Sequence, residues 1–407
     1  MLRSYEKLYT PQTAAMEHSF IRQILKVTRG VPGMISFAGG LPDPASFPKE
    51  TLARLFHEVI SETGDDVLQY GASEGDVKLK EALKNFEEVP WLPDDQLMIT
   101  IGSTNGIYYY LRTLISPDDI IVCESPGFPG SIAAMQACGA RMIGVEMDEL
   151  GMRPDRLDET LRDLTRSSAP VKFLYLIPEF QNPSGRSMDL ARRREILRTA
   201  LRYDIPVLED QPYRELRYSG VRIPTLWELA RVEFGDDELV TIVKSFSKIL
   251  GPGLRLGFAA GPEKIIEPMV KWAQKSTVSP DCITQRVTAR FIGEGLMHPH
   301  IERIIELYRP KRDAMLETLS LLMPPGISWT EPEGGMFIWL TLPEEINTDR
   351  MFDLAIGEKV AFIPGSQFYP AGKKRYNEIR LNFSYPGIAE IREGIERLSA
   401  LVRREIS

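Results

Sequence analysis

The feature that most constrains the fold is an alternation of short apolar runs and amphipathic segments between about residues 95 and 260. Seven runs are rich in apolar and β-branched residues and predict strands, at 97–101, 120–123, 141–145, 172–177, 206–209, 240–244 and 256–260. Most of them are separated by segments with helical periodicity, such as 107–114, 154–164 and 190–203. Strands spaced by helices predict an α/β fold with a mostly parallel, seven-stranded sheet flanked by helices.

The segments on either side of this alternation differ from it. Residues 11–29 predict a helix that lies outside the sheet. From about residue 282 the pattern is first helical, then gives short strands near 336–340 and 379–382, and ends in a helix. We therefore expect a large domain over 46–285 and a smaller α+β domain over 286–407, completed by an N-terminal segment over 1–45 that also reaches the mouth of a cleft between them.

The composition argues against several classes of protein. The net charge of −8, from 49 basic and 57 acidic residues, disfavours a general nucleic-acid partner. No apolar run approaches the ~20 residues of a membrane helix, and the first residues lack the apolar core of a signal peptide. Three cysteines without a C-x-x-C pair indicate a reduced, cytoplasmic compartment, and the four histidines form no metal-binding motif.

Polar residues follow four of the predicted strands. Strand 97–101 is followed by GSTNG, where Ser103 and Thr104 open a helix and offer either an anion site or an ordinary N-cap. Strand 172–177 is followed by PEFQNPSG, in which Asn182 stands before a proline, as it does in common turns. Strand 206–209 is followed by Asp210 and Tyr213, where an acidic residue could merely cap the next helix.

The fourth of these strands, 240–244, runs into SFSKILGPGLRLGF, which contains Ser245, Ser247, Lys248 and Arg255. Lysine and arginine are rarely buried without partners, yet both lie in an apolar neighbourhood. Ligands of parallel sheets gather at the carboxyl ends of the strands, so we expect all these groups to meet at one edge. A phosphate cradle, a carboxylate, a phenol, an amide and a lysine together suit pyridoxal 5′-phosphate (PLP), whose aldehyde needs an amine and whose ring nitrogen needs an anion.

With these motifs the chain resembles the fold-type-I PLP enzymes of the class I/II aminotransferase family. Their signature is Ser-x-Ser-Lys followed by Pro-Gly-x-Arg, with the arginine seven residues after the lysine, and Lys248 and Arg255 match it. Within the family, the chain is most similar to the 2-aminoadipate and kynurenine/aminoadipate aminotransferases of the broad-specificity branch. The stretches that carry this likeness are FAGGLP, QYGASEG, YLIPEFQNPSG, EDQPYREL and EPEGGMFIW.

The resemblance implies a role for each cofactor-binding residue. Lys248 would bond covalently to the cofactor aldehyde and later move a proton between substrate and cofactor. Asp210 would pair with the ring nitrogen, and Tyr213 and Asn182 with the phenolic oxygen. The phosphate would be held by a set of hydroxyl and guanidinium groups: Ser103, Thr104, Ser245, Ser247 and Arg255.

Two further cofactor contacts follow from the resemblance. Phe128, in ESPGFPG, would stack on the ring where many relatives carry tyrosine, so a hydroxyl contact is missing. Tyr70, in QYGASEG, matches a position that reaches the phosphate in the neighbouring subunit, which implies a homodimer. Thr104 and Asn105 depart from the glutamines that are common after the serine.

For the substrate, Arg380 in RLNFSYP matches the arginine that binds the α-carboxylate, beside Asn182. Gly39 and Gly40 would bring backbone close to the substrate, although a plain turn explains them equally well. Arg22, in HSFIRQILK, aligns with an arginine that binds a distal carboxylate, but it also fits an exposed arginine at helical spacing.

We therefore expect an aminotransferase that exchanges an amino group between an L-amino acid and a 2-oxo acid such as 2-oxoglutarate. The donor would be 2-aminoadipate, glutamate or a broad range of acidic and aromatic amino acids. The alternatives are an aromatic or branched-chain preference, or a β-lyase or decarboxylase reaction on the same scaffold. A DNA-binding regulator with an aminotransferase-like domain is disfavoured, because the predicted fold begins almost at Met1.

Overall fold

The computed structural model describes residues 5–406, apart from positions 15, 17, 19, 29, 90, 371 and 373. Its strands in chain order are β1 (Ile35–Ser36), β2 (Leu97–Thr100), β3 (Ile120–Ser125), β4 (Arg141–Asp148), β5 (Gly151–Met152), β6 (Val171–Leu176), β7 (Val207–Gln211), β8 (Val240–Ser245), β9 (Gly257–Ala260), β10 (Ser328–Trp329), β11 (Phe337–Thr341), β12 (Val360–Ala361), β13 (Ile363–Pro364) and β14 (Glu378–Asn382).

The α-helices in chain order are α1 (Pro11–Ala14), α2 (Phe20–Thr28), α3 (Lys49–Val67), α4 (Val77–Phe86), α5 (Ser103–Leu114), α6 (Pro129–Ala137), α7 (Pro154–Arg166), α8 (Leu190–Arg202), α9 (Leu226–Phe234), α10 (Glu263–Ser276), α11 (Cys282–Gly293), α12 (Met297–Leu322), α13 (Thr348–Gly357) and α14 (Ile388–Ile406). Short 3₁₀ helices lie at Tyr5–Leu8, Pro44–Ser46, Asp94–Gln96, Pro252–Leu254 and Gly365–Phe368.

In the described part of the chain, the largest sheet has eight strands in the order β2-β9-β8-β7-β6-β3-β4-β5. Strands β8, β7, β6, β3 and β4 are parallel to their neighbours in that run, whereas β9 is antiparallel to both β2 and β8. All seven predicted strands form, within two or three residues of their predicted bounds. The eighth, β5, is a two-residue strand that turns back onto β4. The mostly parallel α/β fold is therefore confirmed.

The central strands are apolar along their whole length because both faces of the sheet are covered. Every residue of β7 and β8 is buried, as are five of the six residues of β3. Strands buried on both faces lose the alternation of apolar and polar residues, which is why they appear in the sequence as continuous apolar runs. Helix α5 packs against α6 and α10, and α8 packs against α7 and α9.

A second, four-stranded sheet in the order β10-β11-β14-β13 lies in the C-terminal part of the described chain, where α12 packs against α14. Strand β1, from the N-terminal segment, pairs in parallel with β12 of this part. This pairing accords with an N-terminal segment that completes the smaller domain. The bounds 1–45, 46–285 and 286–407 stay predictions.

The single helix predicted over residues 11–29 is wrong, because α1 and α2 are separate helices with Met16 and His18 in non-helical backbone between them. Packing explains the difference. Helix α2 buries Ile24 against an apolar cluster that includes Trp339 and Phe368, whereas the described side chains of residues 11–18 are exposed.

Two features are absent from the described residues. None of the helices there combines the length and the apolar character needed to cross a membrane. Nor does that part of the chain bring three histidine, cysteine, aspartate or glutamate side chains together as ligands for a metal ion.

Candidate active site

A cavity of about 490 Å³ lies where the carboxyl ends of β6, β7 and β8 meet the N-terminal segment and β14. It brings together thirteen of the residues predicted as site residues: Arg22, Gly40, Ser103, Thr104, Phe128, Asn182, Asp210, Tyr213, Ser245, Ser247, Lys248, Arg255 and Arg380. Two predicted residues are not in its lining. Gly39 is buried next to Gly40, and Tyr70 is 80% exposed at the surface.

Lys248 lies in the turn that follows β8, and its side chain reaches into the cavity. Its Nζ donates a hydrogen bond of 2.8 Å to the carbonyl oxygen of Gly40. Burial, together with the positive charges of Arg380 and Arg255, lowers the pKa of Lys248 to about 8. A substantial fraction of the amine is therefore neutral near neutral pH, which is the form that attacks an aldehyde.

Asp210 is the fourth residue of β7 and is only 2% exposed. Its Oδ2 lies 2.7 Å from the hydroxyl of Tyr175, but its Oδ1 has no hydrogen-bond partner among the described residues. Burial raises the pKa of Asp210 to about 7. A buried carboxylate oxygen without a partner is costly, so this atom is suited to a cationic N–H group of a ligand.

Arg380, on β14, is 1% exposed and is held by several contacts. Its Nη1 donates to Asn182 Oδ1 at 2.9 Å, and its Nη2 donates to the carbonyl oxygen of Ala38 at 2.6 Å. The guanidinium lies over the ring of Phe337, 4.3 Å from the ring centre. Burial lowers the pKa of Arg380 to about 10, so the group remains a cation and can bind a carboxylate in the cavity.

Asn182 links Arg380 to the phenol of Tyr213. While its Oδ1 accepts from Arg380, its Nδ2 donates to the Tyr213 hydroxyl at 3.3 Å. Burial raises the pKa of Tyr213 above its usual value, so the phenol stays protonated. The three side chains therefore form one row of polar groups along the cavity wall.

A further set of cavity residues lies around the start of helix α5. Helix α5 begins at Ser103, directly after Gly102, whose φ of +76° favours glycine. A Cβ on Gly102 would lie 2.9 Å from Nη2 of Arg255, so the glycine also permits the close approach of that guanidinium. The hydroxyls of Ser245 and Ser247 lie 2.9 Å apart beside it. A helix N-terminus, hydroxyls and an arginine together suit a phosphate group.

The sequence alone did not identify some residues around the cavity. Ile177, Pro212, Pro252 and Phe337 also line it. Tyr175 was predicted only as part of a strand. A buried tyrosine does require a partner for its hydroxyl, but the partner depends on the order of the strands.

The comparisons with known proteins agree with this geometry. The model of the family "Aminotransferase class I and II" matches residues 37–398. The aromatic-amino-acid aminotransferase 1 of Thermococcus litoralis is 37% identical, over 99% of this chain and 95% of its own. The 2-aminoadipate transaminase of Thermus thermophilus is 33% identical, over 98% of both chains. The chain belongs to the class I and II aminotransferases.

A solved structure extends the comparison to the fold. The crystal structure of the kynurenine aminotransferase of Pyrococcus horikoshii, in complex with PMP, the amine form of PLP, has a TM-score of 0.93 and 37% identity. The match covers 99% of this chain and 98% of that one. This aminotransferase therefore has the fold of type I PLP enzymes, uses PLP and acts on amino and oxo acids, as the sequence predicts. The unpartnered Oδ1 of Asp210 and the anion site at α5 fit the ring nitrogen and the phosphate of that cofactor.

Proposed function

We propose that this aminotransferase transfers the amino group of 2-aminoadipate, glutamate or an aromatic L-amino acid to a 2-oxo acid such as 2-oxoglutarate, in two successive half-reactions. The observation that supports it is the meeting of three groups in one cavity: an amine of lowered pKa, a carboxylate oxygen without a partner, and a buried guanidinium. The names of the two curated relatives agree with this range of donors.

In this proposal, different residues bind different parts of the cofactor. PLP supplies an aldehyde that binds amines covalently and a ring that accepts electron density from the substrate Cα. Asp210 would hold the ring nitrogen, and Tyr213 and Asn182 the phenolic oxygen. Phe128 would lie against the ring face. The phosphate would be held at the start of α5 and in the turn after β8, by Ser103, Thr104, Ser245, Ser247 and Arg255.

Lys248 and Arg380 would act on the substrate. Arg380 orients the Cα–H bond by pairing with the α-carboxylate, and its bonds to Asn182 and Ala38 fix the plane of the guanidinium. Lys248 Nζ would take the proton from the substrate Cα, for which a pKa of about 8 is well matched. The backbone of Gly39 and Gly40 would border the substrate, since the Gly40 carbonyl already meets the amine of Lys248.

Arg22, on the exposed face of α2 at the cavity, would bind the distal carboxylate of an acidic donor.

The test of the proposed activity is a screen of half-reactions in which each amino acid is added to the PLP enzyme and the conversion of PLP to PMP is followed by absorbance. We expect conversion by 2-aminoadipate, glutamate and phenylalanine, and we expect glutamate to be formed when 2-oxoglutarate is then supplied. If the donors release carbon dioxide, the protein is a decarboxylase; if an added amino acid with a leaving group on Cβ, such as a cysteine S-conjugate, yields pyruvate and ammonia, it is a β-lyase.

The variant Arg22→Gln separates the role of Arg22 from the activity itself. Loss of one charged hydrogen bond weakens binding roughly 10- to 100-fold, so we expect a rise of that size in KM for 2-aminoadipate and little change for phenylalanine. Equal effects on both donors would contradict a role in reading the distal carboxylate.

We also propose a homodimer in which Tyr70 reaches the phosphate site of the other subunit. Its 80% exposure supports this, because an aromatic ring so exposed in one chain is available to a partner. The test mixes the variants Lys248→Ala and Tyr70→Ala, each of them impaired. Random exchange gives half hybrid dimers with one intact site each, so about a quarter of the activity should return. No recovery after exchange would exclude a shared site.

A cytoplasmic location is part of the same proposal. All three cysteines, Cys123, Cys138 and Cys282, are free thiols, as is usual in a reducing compartment. Cell fractionation with cytoplasmic and secreted marker enzymes would test it.

A further inference from the structure

Two carboxyl groups are buried near the ends of strands β3 and β7, which flank β6 in the large sheet. Glu124, on β3, and Asp210, on β7, are each 2% exposed. Glu124 Oε2 accepts a hydrogen bond of 3.0 Å from the backbone N–H of Ile177. Burial, with a smaller contribution from the charge of Asp210, raises the pKa of Glu124 to about 8. Burial disfavours a negative charge on either carboxyl, so the hydrogen-bond donors around each one decide which of them ionises more readily.

Tyr175 lies on β6, between the strands of the two carboxyls. Its hydroxyl is 2.7 Å from Asp210 Oδ2 and 2.8 Å from Ser131 Oγ, on α6. The phenol has a single hydrogen, and a carboxylate accepts it more strongly than a serine hydroxyl does. Ser131 can then donate to the phenol oxygen. Burial and the charge of Asp210 keep the pKa of Tyr175 well above its usual value, so it acts as a donor.

We propose that Tyr175 is a positioning residue that makes Asp210, and not Glu124, the ionised carboxyl of the pair and leaves its Oδ1 free for the cofactor. This inference rests on the proposed role of Asp210 towards the ring nitrogen. Glu124 has the Ile177 N–H and the Gln181 side chain as its donors, whereas the phenol of Tyr175 donates to Asp210. The hydrogen bond from Tyr175 lowers the pKa of Asp210 against the opposing effect of burial.

The other groups that face Asp210 do not replace Tyr175. Glu124, from β3, repels a charge on Asp210, and Tyr213, from the segment after β7, is hydrogen-bonded to Asn182 instead. Ser131, from α6, reaches Asp210 only through Tyr175. Loss of the phenol hydroxyl should therefore raise the pKa of Asp210, by about one unit for one hydrogen bond to a charged group.

The test measures how tightly the apoenzyme binds PLP between pH 6 and pH 9, in the wild type and in Tyr175→Phe. We expect binding about tenfold weaker at pH 6 and similar binding at pH 9, because one unit of pKa is a tenfold change in the ionised fraction at low pH. The matched control is Tyr110→Phe, which removes a fully buried hydroxyl on α5 outside the cavity lining. Its pH profile should superimpose on that of the wild type.

Two results would overturn the inference: an unchanged profile in Tyr175→Phe, or a loss of affinity by the same factor at every pH, which indicates a purely structural role. Ser131→Ala provides a milder variant and should shift the profile in the same direction by less. Asp210→Asn separates this inference from the proposed function. If that variant binds PLP as the wild type does at every pH, the role of Asp210 itself fails.

Discussion

Lys248 Nζ donates to the carbonyl oxygen of Gly40, 208 positions away, at 2.8 Å. This bond joins the turn after β8 to the loop after β1. Lys311 also contacts that loop through Asp43, and it donates to the carbonyl oxygen of Ser384 as well. The Lys248 amine is therefore held in position by the backbone of Gly40, in a segment distant from it in the sequence. Its lowered pKa, together with this fixed position, leads to the first prediction.

The rate at which the apoenzyme binds PLP covalently should rise with pH and reach half of its maximum near pH 8. The reason is the pKa of Lys248, which burial and two neighbouring arginines lower to about 8 from its usual 10.5, so the reactive neutral amine forms at lower pH. Stopped-flow absorbance of PLP mixed with apoenzyme measures the rate. Lys248→Ala should show no covalent absorbance and no turnover at any pH. Normal turnover in that variant would overturn the assignment of Lys248.

Arg380→Lys should lower kcat/KM for amino donors roughly 10- to 100-fold, mainly through KM. A lysine keeps the positive charge, but it lacks the planar guanidinium that bonds to Asn182 and Ala38 and also offers two N–H donors to the carboxylate. One lost hydrogen bond to a charged group costs about 1.5–3 kcal/mol. Steady-state kinetics measures the effect, with the absorbance of bound PLP as a check that the cofactor remains. Arg202→Lys, an exposed arginine paired with Asp158, is the control and should be unaffected. Equal behaviour of the two variants would contradict the prediction.

Gly40→Ala should raise KM for the amino donor severalfold. A Cβ at this position would lie 3.2 Å from Cζ of Phe337, and the guanidinium of Arg380 rests on that ring at 4.3 Å. Displacement of Phe337 therefore shifts the carboxylate-binding group, and small shifts of this kind impair orientation. Gly293→Ala is the matched control, because a Cβ there meets nothing within 4 Å. Its KM should equal that of the wild type.

The large sheet was predictable from the sequence because its strands are buried on both faces and leave continuous apolar runs, as in β3 and β8. The two-residue strands β1, β5 and β12 were not, since such short elements have no periodicity and depend on their pairing partners. The break between α1 and α2 could not be predicted, because it depends on which side chains pack against the apolar cluster around Trp339.

Part of the candidate site could likewise be predicted from the sequence, and part could not. Asp210 lies near the end of β7, and Asn182 and Lys248 lie in the segments that follow β6 and β8, so their meeting at one edge of the sheet could be expected from the chain order. Arg380 lies on another sheet, and only the family resemblance pointed to it. The Gly40 carbonyl joins the N-terminal segment to the turn after β8 of the large sheet, and the Ala38 carbonyl joins it to β14 of the smaller sheet. No local pattern in the sequence encodes either contact.

Asp210→Asn should stabilise the apoenzyme against unfolding while abolishing tight PLP binding. Burial raises the pKa of Asp210 from 3.8 to about 7, so ionisation in the folded state costs free energy. That cost is absent below about pH 4, grows as the pH rises towards 7, and is fully present above it, where it is about 4 kcal/mol. An asparagine of the same shape avoids the cost and can still accept from Tyr175. Denaturant unfolding of apoenzyme at pH 8 and pH 5 measures the difference, which should be larger at pH 8. A variant that is less stable than the wild type at pH 8 would show that the Asp210 carboxylate is already neutralised in the folded apoenzyme.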